Sequence, residues 1–230
     1  MPAFVVAIDG PAGAGKSTVA RELARRLGFS LLDTGAVYRA VALLAAERGV
    51  APDDDRALLA ICADVERDLR FVPGEEKQQV SLGARDVTAA IRAPDIGVGA
   101  SIVSARPAVR AALLGLQRAI GQRPGGVVAE GRDMGTVVFP DAALKLYLDA
   151  SPEERARRRA EELRRAGRDV TLEETQRAQE ERDRRDAGRL AAPLRQAEGA
   201  LYVDTTGLSI DDVIERLVNE VGHRSPGRAP

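Results

Sequence analysis

The sequence predicts an α/β fold: a three-layer sandwich with a parallel five-stranded sheet between helices. Three observations lead there. Five apolar runs of strand length, "AFVVAI", "SLLDTG", "GGVVAEG", "ALKLYLDA" and "ALYVDTTG", recur along the chain. Helical periodicity follows several of them, and strands alternating with helices form parallel sheets covered on both faces. A glycine-rich turn, "GPAGAGKS", joins the first run to the first helical pattern.

In chain order, "AFVVAI" reads as a buried parallel strand. From Lys16 to Leu27 the residues Val19, Ala20, Leu23, Ala24 and Leu27 keep helical spacing, and Gly28 suits a C-cap. "SLLDTG" is a second strand ending in a polar turn, and "AVYRAVALLAAERG" a second helix closed by Gly49. From Leu69 to Thr88 the pattern alternates instead, with Leu69 and Phe71 on one side of a "PGEE" turn and Val80 and Leu82 on the other. A second turn at "LGAR" completes a small antiparallel meander inserted in the parallel fold. From Glu153 to Arg189 almost every other residue is charged and the signs nearly balance, which reads as a solvated helical pair laced by i,i+4 ion pairs. After the fifth strand, Val213, Ile214, Leu217 and Val221 mark an amphipathic helix. The tail "GHRSPGRAP" is expected to be disordered.

Composition bounds the function. A chain of 230 residues suits one α/β core with an insertion or two, or at most two small domains. The net charge of −1 gives no overall attraction to nucleic acid or to a membrane surface. No segment approaches the roughly 20 apolar residues of a membrane helix, and no basic leader precedes "AFVVAI", so a cytoplasmic protein is expected. No apolar surface stripe stands out, which favours a monomer. The single cysteine, Cys62, reads as a buried apolar residue. Among the basic residues only Lys16, Lys77 and Lys145 are lysines, and the rest are arginines.

The strongest motif is Gly10, Pro11, Ala12, Gly13, Ala14, Gly15, Lys16 and Ser17, followed by Thr18. It fits G-x-x-x-x-G-K-[ST] throughout, with a strand before it and a helix after it. Such a P-loop wraps backbone N–H groups around a β-phosphate, sends its lysine to the β and γ oxygens, and offers the serine hydroxyl to Mg²⁺. A bound nucleoside triphosphate with magnesium is the expectation.

Two further motifs end strands at the carboxyl edge of the sheet, where ligands bind in such folds. "LLDTGAVYR" brings Asp33, Thr34 and, one helical turn on, Arg39; the alternative is a helix capped by Thr34 with Arg39 merely exposed. "VVAEGRDMGTVVFPDA" delivers Glu130, Gly131, Arg132 and Asp133; the alternative is a capped turn. No guanine-reading N-K-x-D pattern is present. The only histidine, His223, lies in the tail, so no Ser/His or Cys/His pairing is available as a base. Transfer to a phosphate needs none, because a phosphate monoester is already largely dianionic at pH 7. It needs cations to hold two anions together. Few bases and many arginines point to a phosphate acceptor.

Together "IDGPAGAGKST", "LLDTGAVYR" and "GRDMGTVVFPDA" closely resemble the bacterial cytidylate kinases. The likeness runs along nearly the whole chain, including the meander, "SPEERARRR" and "ERDRRDAGRLAAPL". The resemblance implies a P-loop core (1–35, 106–152 and 190–223), a monophosphate-binding domain (36–105) enlarged by the antiparallel insertion at about 65–90, a helical lid (153–189) and a tail (224–230). It implies transfer of the γ-phosphoryl group of ATP to CMP or dCMP. Gly10 to Thr18 would hold ATP, with Lys16, Arg132, Arg182 and Arg189 as the catalytic cations. Arg39 and Arg132 would clamp the acceptor phosphate, Thr34 and Tyr38 line its pocket, and Ser101, Arg110 and Asp133 read cytosine. A carboxylate accepting from cytosine N4 makes independent chemical sense of Asp133. Arg182, Asp186 and Arg189 would touch ribose and both phosphates, and Arg155 and Arg159 would face ATP from the lid, with local helix pairing as their alternative. Glu130, where related kinases can carry aspartate, keeps an open role. The readings that compete are a UMP or AMP kinase, a kinase for a small hydroxyl metabolite, and a non-catalytic ATP-responsive scaffold.

Overall fold

The computed structural model describes residues 4–72, 78–122 and 124–224. The "PGEE" turn and the tail beyond Arg224 lie outside the described residues. Strand β1 (Val5–Asp9) passes through the glycine loop into α1 (Lys16–Leu27), and β2 (Ser30–Asp33) leads to α2 (Thr34–Glu47) and α3 (Asp55–Asp68). Three short strands follow, β3 (Leu69–Val72), β4 (Gln79–Leu82) and β5 (Arg85–Asp86), then a 3₁₀ turn (Ala90–Arg92), α4 (Pro94–Val103) and α5 (Pro107–Gly121). Next come β6 (Val127–Glu130), a π-helical turn (Met134–Val138), β7 (Leu144–Asp149), α6 (Pro152–Arg165), α7 (Leu172–Ala187), β8 (Leu201–Asp204) and α8 (Ile210–Arg224).

The five long-range strands form one parallel sheet in the order β2-β6-β1-β7-β8. The central strand β1 is buried on both faces, with Val6, Ala7 and Ile8 fully enclosed, which is why its sequence does not alternate. Its register pairs Ile8 with Glu130 and Asp9 with Tyr147, so Asp9 and Glu130 end at the same carboxyl edge. The meander is the expected antiparallel sheet, β3-β4-β5, with Leu69 opposite Leu82 and Phe71 opposite Val80.

Two compact units result: residues up to Leu32 with those from Gly121 onward, and Asp33–Ile120. In the first, α1 and α8 bury Val19, Ala20, Leu23, Val213, Ile214, Leu217 and Val221 against Val6, Ile8, Leu144, Leu146 and Leu148 of the sheet. In the second, α2 supplies Val37, Val41 and Leu43 to a core completed by α3, the meander and α4. Helix α3 went unmarked in the sequence although its buried Leu58, Ile61, Cys62 and Val65 keep helical spacing. Cys62 is buried, and burial pushes its thiol up to about 11, as an inert core residue requires. The alternative of a Thr34 cap is not what the structure has. Asp33, not Thr34, caps α2, accepting the Ala36 N–H at 3.0 Å, and Thr34 is the first helical residue.

The charged segment forms the helical pair α6 and α7. Ser151 caps α6, and Thr171 with Glu174 makes a reciprocal capping box on α7. Arg157 pairs with Glu154 and Glu161 at 2.8 and 2.6 Å on the exposed side. Among the described residues no helix is long and apolar enough to cross a membrane.

Gly10 is the tightest point of the frame. Its φ is +147°, and a Cβ there would lie 1.9 Å from the Leu148 carbonyl oxygen of β7, a backbone atom that cannot step aside. Gly28, with φ +63° at the end of α1, faces open space. Gly10→Ala is expected to cost about 3 kcal/mol or more, or to prevent folding, and Gly28→Ala only about 1 kcal/mol. Denaturant unfolding of the two variants checks this; equal losses would show that the approach of β7 does not constrain the loop.

Candidate active site

The glycine loop bridges β1 and α1, with Gly13 and Gly15 at φ +79° and +84°. Gly15 occupies the N-cap position of α1 and no side chain caps the helix, which leaves its first N–H groups and the positive end of its dipole to an anion. Lys16, 6% exposed, donates from Nζ to the Pro11 carbonyl at 2.6 Å. Ser17 Oγ donates to Glu130 Oε2 at 2.9 Å.

Around this loop the first unit gathers buried charge. Asp186, 1% exposed, accepts from Arg132 Nε at 2.8 Å and pairs through its other oxygen with Arg189. Burial resists its ionisation, but Arg132 and Arg189 outweigh that and hold its carboxyl below the usual range. Lys16 is held well below an ordinary lysine, first by burial and then by the Arg132 charge; Arg182 adds to this, and Glu130 and Asp183 oppose it. Arg182 is thus near enough to act on both Lys16 and Asp186. An arriving phosphate would relieve this crowding of cations, so the cluster is arranged for an anion before one binds.

The remaining sequence candidates fall as follows. Asp133 is buried at the start of the π-helical turn. Arg155 is 9% exposed and donates from Nη1 to the Ala12 carbonyl at 2.9 Å, so it holds the loop's backbone. Arg159 lies on the outer side, paired with Glu162 at 2.6 Å. In the second unit, Thr34 is buried and Arg39 turns back along α2, its Nη1 3.8 Å from Asp33 Oδ2. Arg110, 8% exposed, lies 5.4 Å over the Tyr38 ring and donates to the Ser104 carbonyl at 3.1 Å. Ser101 is 2% exposed, and its Oγ has no hydrogen-bond partner among the described residues.

Three residues of the site escaped the sequence reading. Asp9 accepts the N–H groups of Met134 and Gly135 at 2.7 and 2.8 Å, and so ties the strand before the P-loop to the turn that carries Arg132 and Asp133. A carboxylate closing an apolar strand was its signal. Asp183 accepts the Ala12 N–H at 2.9 Å, and only its place on α7 four residues after Gln179 and three before Asp186 hints at that. Arg158 donates to Thr205 Oγ1 at 2.9 Å and to its carbonyl at 2.7 Å, while Thr205 Oγ1 reaches the Ala14 carbonyl at 3.5 Å.

A parallel sheet whose central strand opens into this loop, with half-buried arginines beside it, is the architecture of a P-loop kinase. The chain belongs to the cytidylate kinase family: the model for that family, "Cytidylate kinase", matches residues 6–223. A protein described as "Cytidylate kinase" from Syntrophotalea carbinolica is 51% identical over 96% of this chain and 93% of its own length. Its counterpart from Geobacter sulfurreducens is also 51% identical, over 96% and 94%. Among solved structures, an uncharacterized protein from Eubacterium ventriosum shares the fold, with a TM-score of 0.53 at 10% identity over 95% of this chain and 98% of that one.

The Asp9 carboxyl gives a pH signature. Burial drives it up to about 6, against the two N–H donors and Lys16; nearby Asp133 adds to the rise. A carboxyl raised in the folded state contributes stability below its ordinary value of 3.8, and that contribution is lost as pH climbs through about 6. Relative to Asp9→Asn, the wild-type protein is therefore expected to lose up to about 3 kcal/mol between pH 4 and pH 8. Unfolding both proteins in denaturant across that range measures it, and a constant difference would mean that Asp9 does not titrate there.

Proposed function

We propose that the protein transfers the γ-phosphoryl group of ATP to CMP or dCMP, giving CDP or dCDP and ADP. Family membership over nearly the whole chain supports the reaction. The observation that carries its chemistry is buried Lys16 together with the half-buried Arg132, Arg182 and Arg189, with Asp186 orienting two of the arginines. Phosphoryl transfer between two phosphates demands positioning and charge neutralisation rather than proton abstraction, and this set meets that demand.

The triphosphate is assigned to Gly10–Thr18, with Lys16 on the transferred group. The oxygen donors Ser17 and Glu130, 2.9 Å apart, fit magnesium, which takes few protein ligands when phosphates and waters supply the rest. Held by these two side chains, magnesium would supply charge neutralisation at the phosphates. To the acceptor we assign Arg132, Asp133, Arg182 and Asp186 of the first unit and Thr34, Tyr38, Arg39, Ser101 and Arg110 of the second. Arg132 and Arg39 clamp its phosphate. Asp133 accepts from the N4 amino group of cytosine, and the unpartnered Ser101 hydroxyl and the Arg110 guanidinium complete the reading of the base.

Two measurements test this. A coupled assay with ATP, Mg²⁺ and CMP should show turnover that Lys16→Ala lowers on the order of 10²-fold or more while the variant still folds. Turnover within about fivefold of wild type would remove Lys16 from the chemistry. Asp133→Ala should cost about 1–3 kcal/mol in kcat/KM for CMP. UMP presents an O4 acceptor that a carboxylate repels, so its kcat/KM should be unchanged or improved. If CMP and UMP fall together and the melting temperature drops, Asp133 only braces its turn.

A further inference from the structure

Helix α7 meets the P-loop through one stripe of polar side chains. Gln179, Asp183 and Asp186 fall at i, i+4 and i+7, on one face of the helix. The contact is close: a Cβ on Gly13 would lie 2.4 Å from Gln179 Nε2 and 3.0 Å from the Arg155 Cβ. Gln179 donates to the Arg155 carbonyl at 3.2 Å. One turn on, Asp183 uses both carboxylate oxygens. Oδ1 accepts the Ala12 N–H at 2.9 Å and Oδ2 pairs with Arg155, whose Nη1 also donates to the Ala12 carbonyl at 2.9 Å. The N–H and the C=O of one P-loop residue are thus both held by the α6–α7 pair, in a ring of Ala12, Asp183 and Arg155. Arg155 is in turn fixed to the Ala150 carbonyl at 3.2 Å, just before α6.

We propose that Asp183 is a positioning residue for phosphoryl transfer, the joint that sets Arg182 and Asp186 of α7 against the P-loop. This inference rests on the kinase reading above. Arg182 precedes Asp183 in the chain, and Asp186, which orients Arg132 and Arg189, lies one turn further along the same face. A tilt of α7 at the joint displaces Arg182 directly and, through Asp186, disturbs Arg132 and Arg189, and misplacement by about 1 Å can cost on the order of 10²-fold in rate. A carboxylate on a P-loop N–H invites a second interpretation, a stand-in for phosphate that must leave when ATP arrives. The pairing argues against it. The charge of Asp183 is already matched by Arg155, and Arg155 is anchored to the loop and to the base of α6, so the group is built into the frame.

The test compares wild type, Asp183→Ala and Asp183→Asn with ATP, Mg²⁺ and CMP, with melting curves to keep every assay well below unfolding. Asparagine keeps an oxygen for the Ala12 N–H but loses the charge that holds Arg155. The expected result is a kcat lowered roughly 10- to 100-fold in Asp183→Ala, with KM for ATP and CMP within about threefold, and partial rescue in Asp183→Asn. Amide exchange at Ala12 should quicken by about tenfold or more in the alanine variant. A kcat within about twofold of wild type in the folded variants overturns the proposal, whatever the melting curves show. A fall in KM for ATP also overturns it and establishes the stand-in. Should Asp183→Ala fail to fold, Asp183→Asn decides alone: a kcat drop of at least about threefold at unchanged KM supports the joint, and wild-type kinetics reject it. Wild-type turnover is the control, since its absence would fault the kinase reading and not the joint.

Discussion

A loop that binds phosphate through its own backbone must leave most of its N–H groups to the ligand, so what fixes its shape acts largely from its ends or from behind. Several elements of the first unit answer to that constraint. At one end β7 approaches Gly10 so closely that no side chain fits, and Asp9 locks the preceding strand to the turn after β6. Inside the loop the Lys16 ammonium closes on the Pro11 carbonyl. From outside, Asp183 and Arg155 hold Ala12, and Thr205 reaches Ala14. These contacts come from β1, β7, α6, α7 and the segment after β8, segments far apart in sequence. The parallel sheet brings their ends to one edge, which is what the fold contributes to the site.

The charges gathered at that edge are poor candidates for stabilisers. Burying an ion pair costs desolvation that the attraction in a low-dielectric interior often only balances, so apolar replacements of a buried pair are frequently as stable. Asp186 is nonetheless enclosed, with Arg132 on one oxygen and Arg189 on the other. What this arrangement achieves is orientation: two long cationic side chains are held in a single geometry before any substrate is present. Lys16 shows the same logic in reverse. Burial and two arginines depress its affinity for a proton, a state that an incoming phosphate would reverse. Electrostatic stabilisation of transferred charge is effective when the dipoles and ions need not reorganise at the moment of reaction.

Much of this was legible in the sequence because apolar periodicity marks what is buried. The five strands, α1, α2, α8 and the presence of the meander all follow from where valine, leucine, isoleucine and alanine recur. Helix boundaries were less exact where a polar residue decides them: Asp33 and Thr34 are both good caps, and only the backbone shows that Asp33 takes the role. Helices α6 and α7 show where hydropathy patterning stops being informative. Their charge pattern correctly suggests a helical pair, and Arg157 and Arg159 do pair locally on the outside. The inner stripe of Gln179, Asp183 and Asp186 is just as polar as the outer face. No hydropathy pattern separates the two, because the inner stripe packs against a backbone that demands hydrogen bonds, not against an apolar core. Asp9 was hidden for the related reason that its partners are main-chain N–H groups, which no side-chain motif records.

The second unit poses the question of recognition rather than of catalysis. A serine inside a helix usually has the carbonyl four residues back within reach of its hydroxyl. Ser101 lies in the interior of α4, is almost fully buried, and leaves its Oγ unpartnered among the described residues. Leaving a buried hydroxyl unsatisfied costs on the order of 1–3 kcal/mol. Ser101 is not alone in this: Gln117 Oε1 of α5 is also buried without a partner among the described residues, and such a cost is offset wherever a polar ligand atom meets the group. Arg110 strengthens the case, since its guanidinium is held over the Tyr38 ring and to the Ser104 carbonyl, and Tyr38 in turn accepts from Gln117 at 3.2 Å. Both polar groups are therefore fixed by their surroundings. A site built from such groups rejects a wrong base more sharply than an apolar pocket can, because the wrong base leaves them buried and unpaired. On the cytidylate reading proposed above, selectivity for the base would draw on these buried polar groups, Ser101 among them.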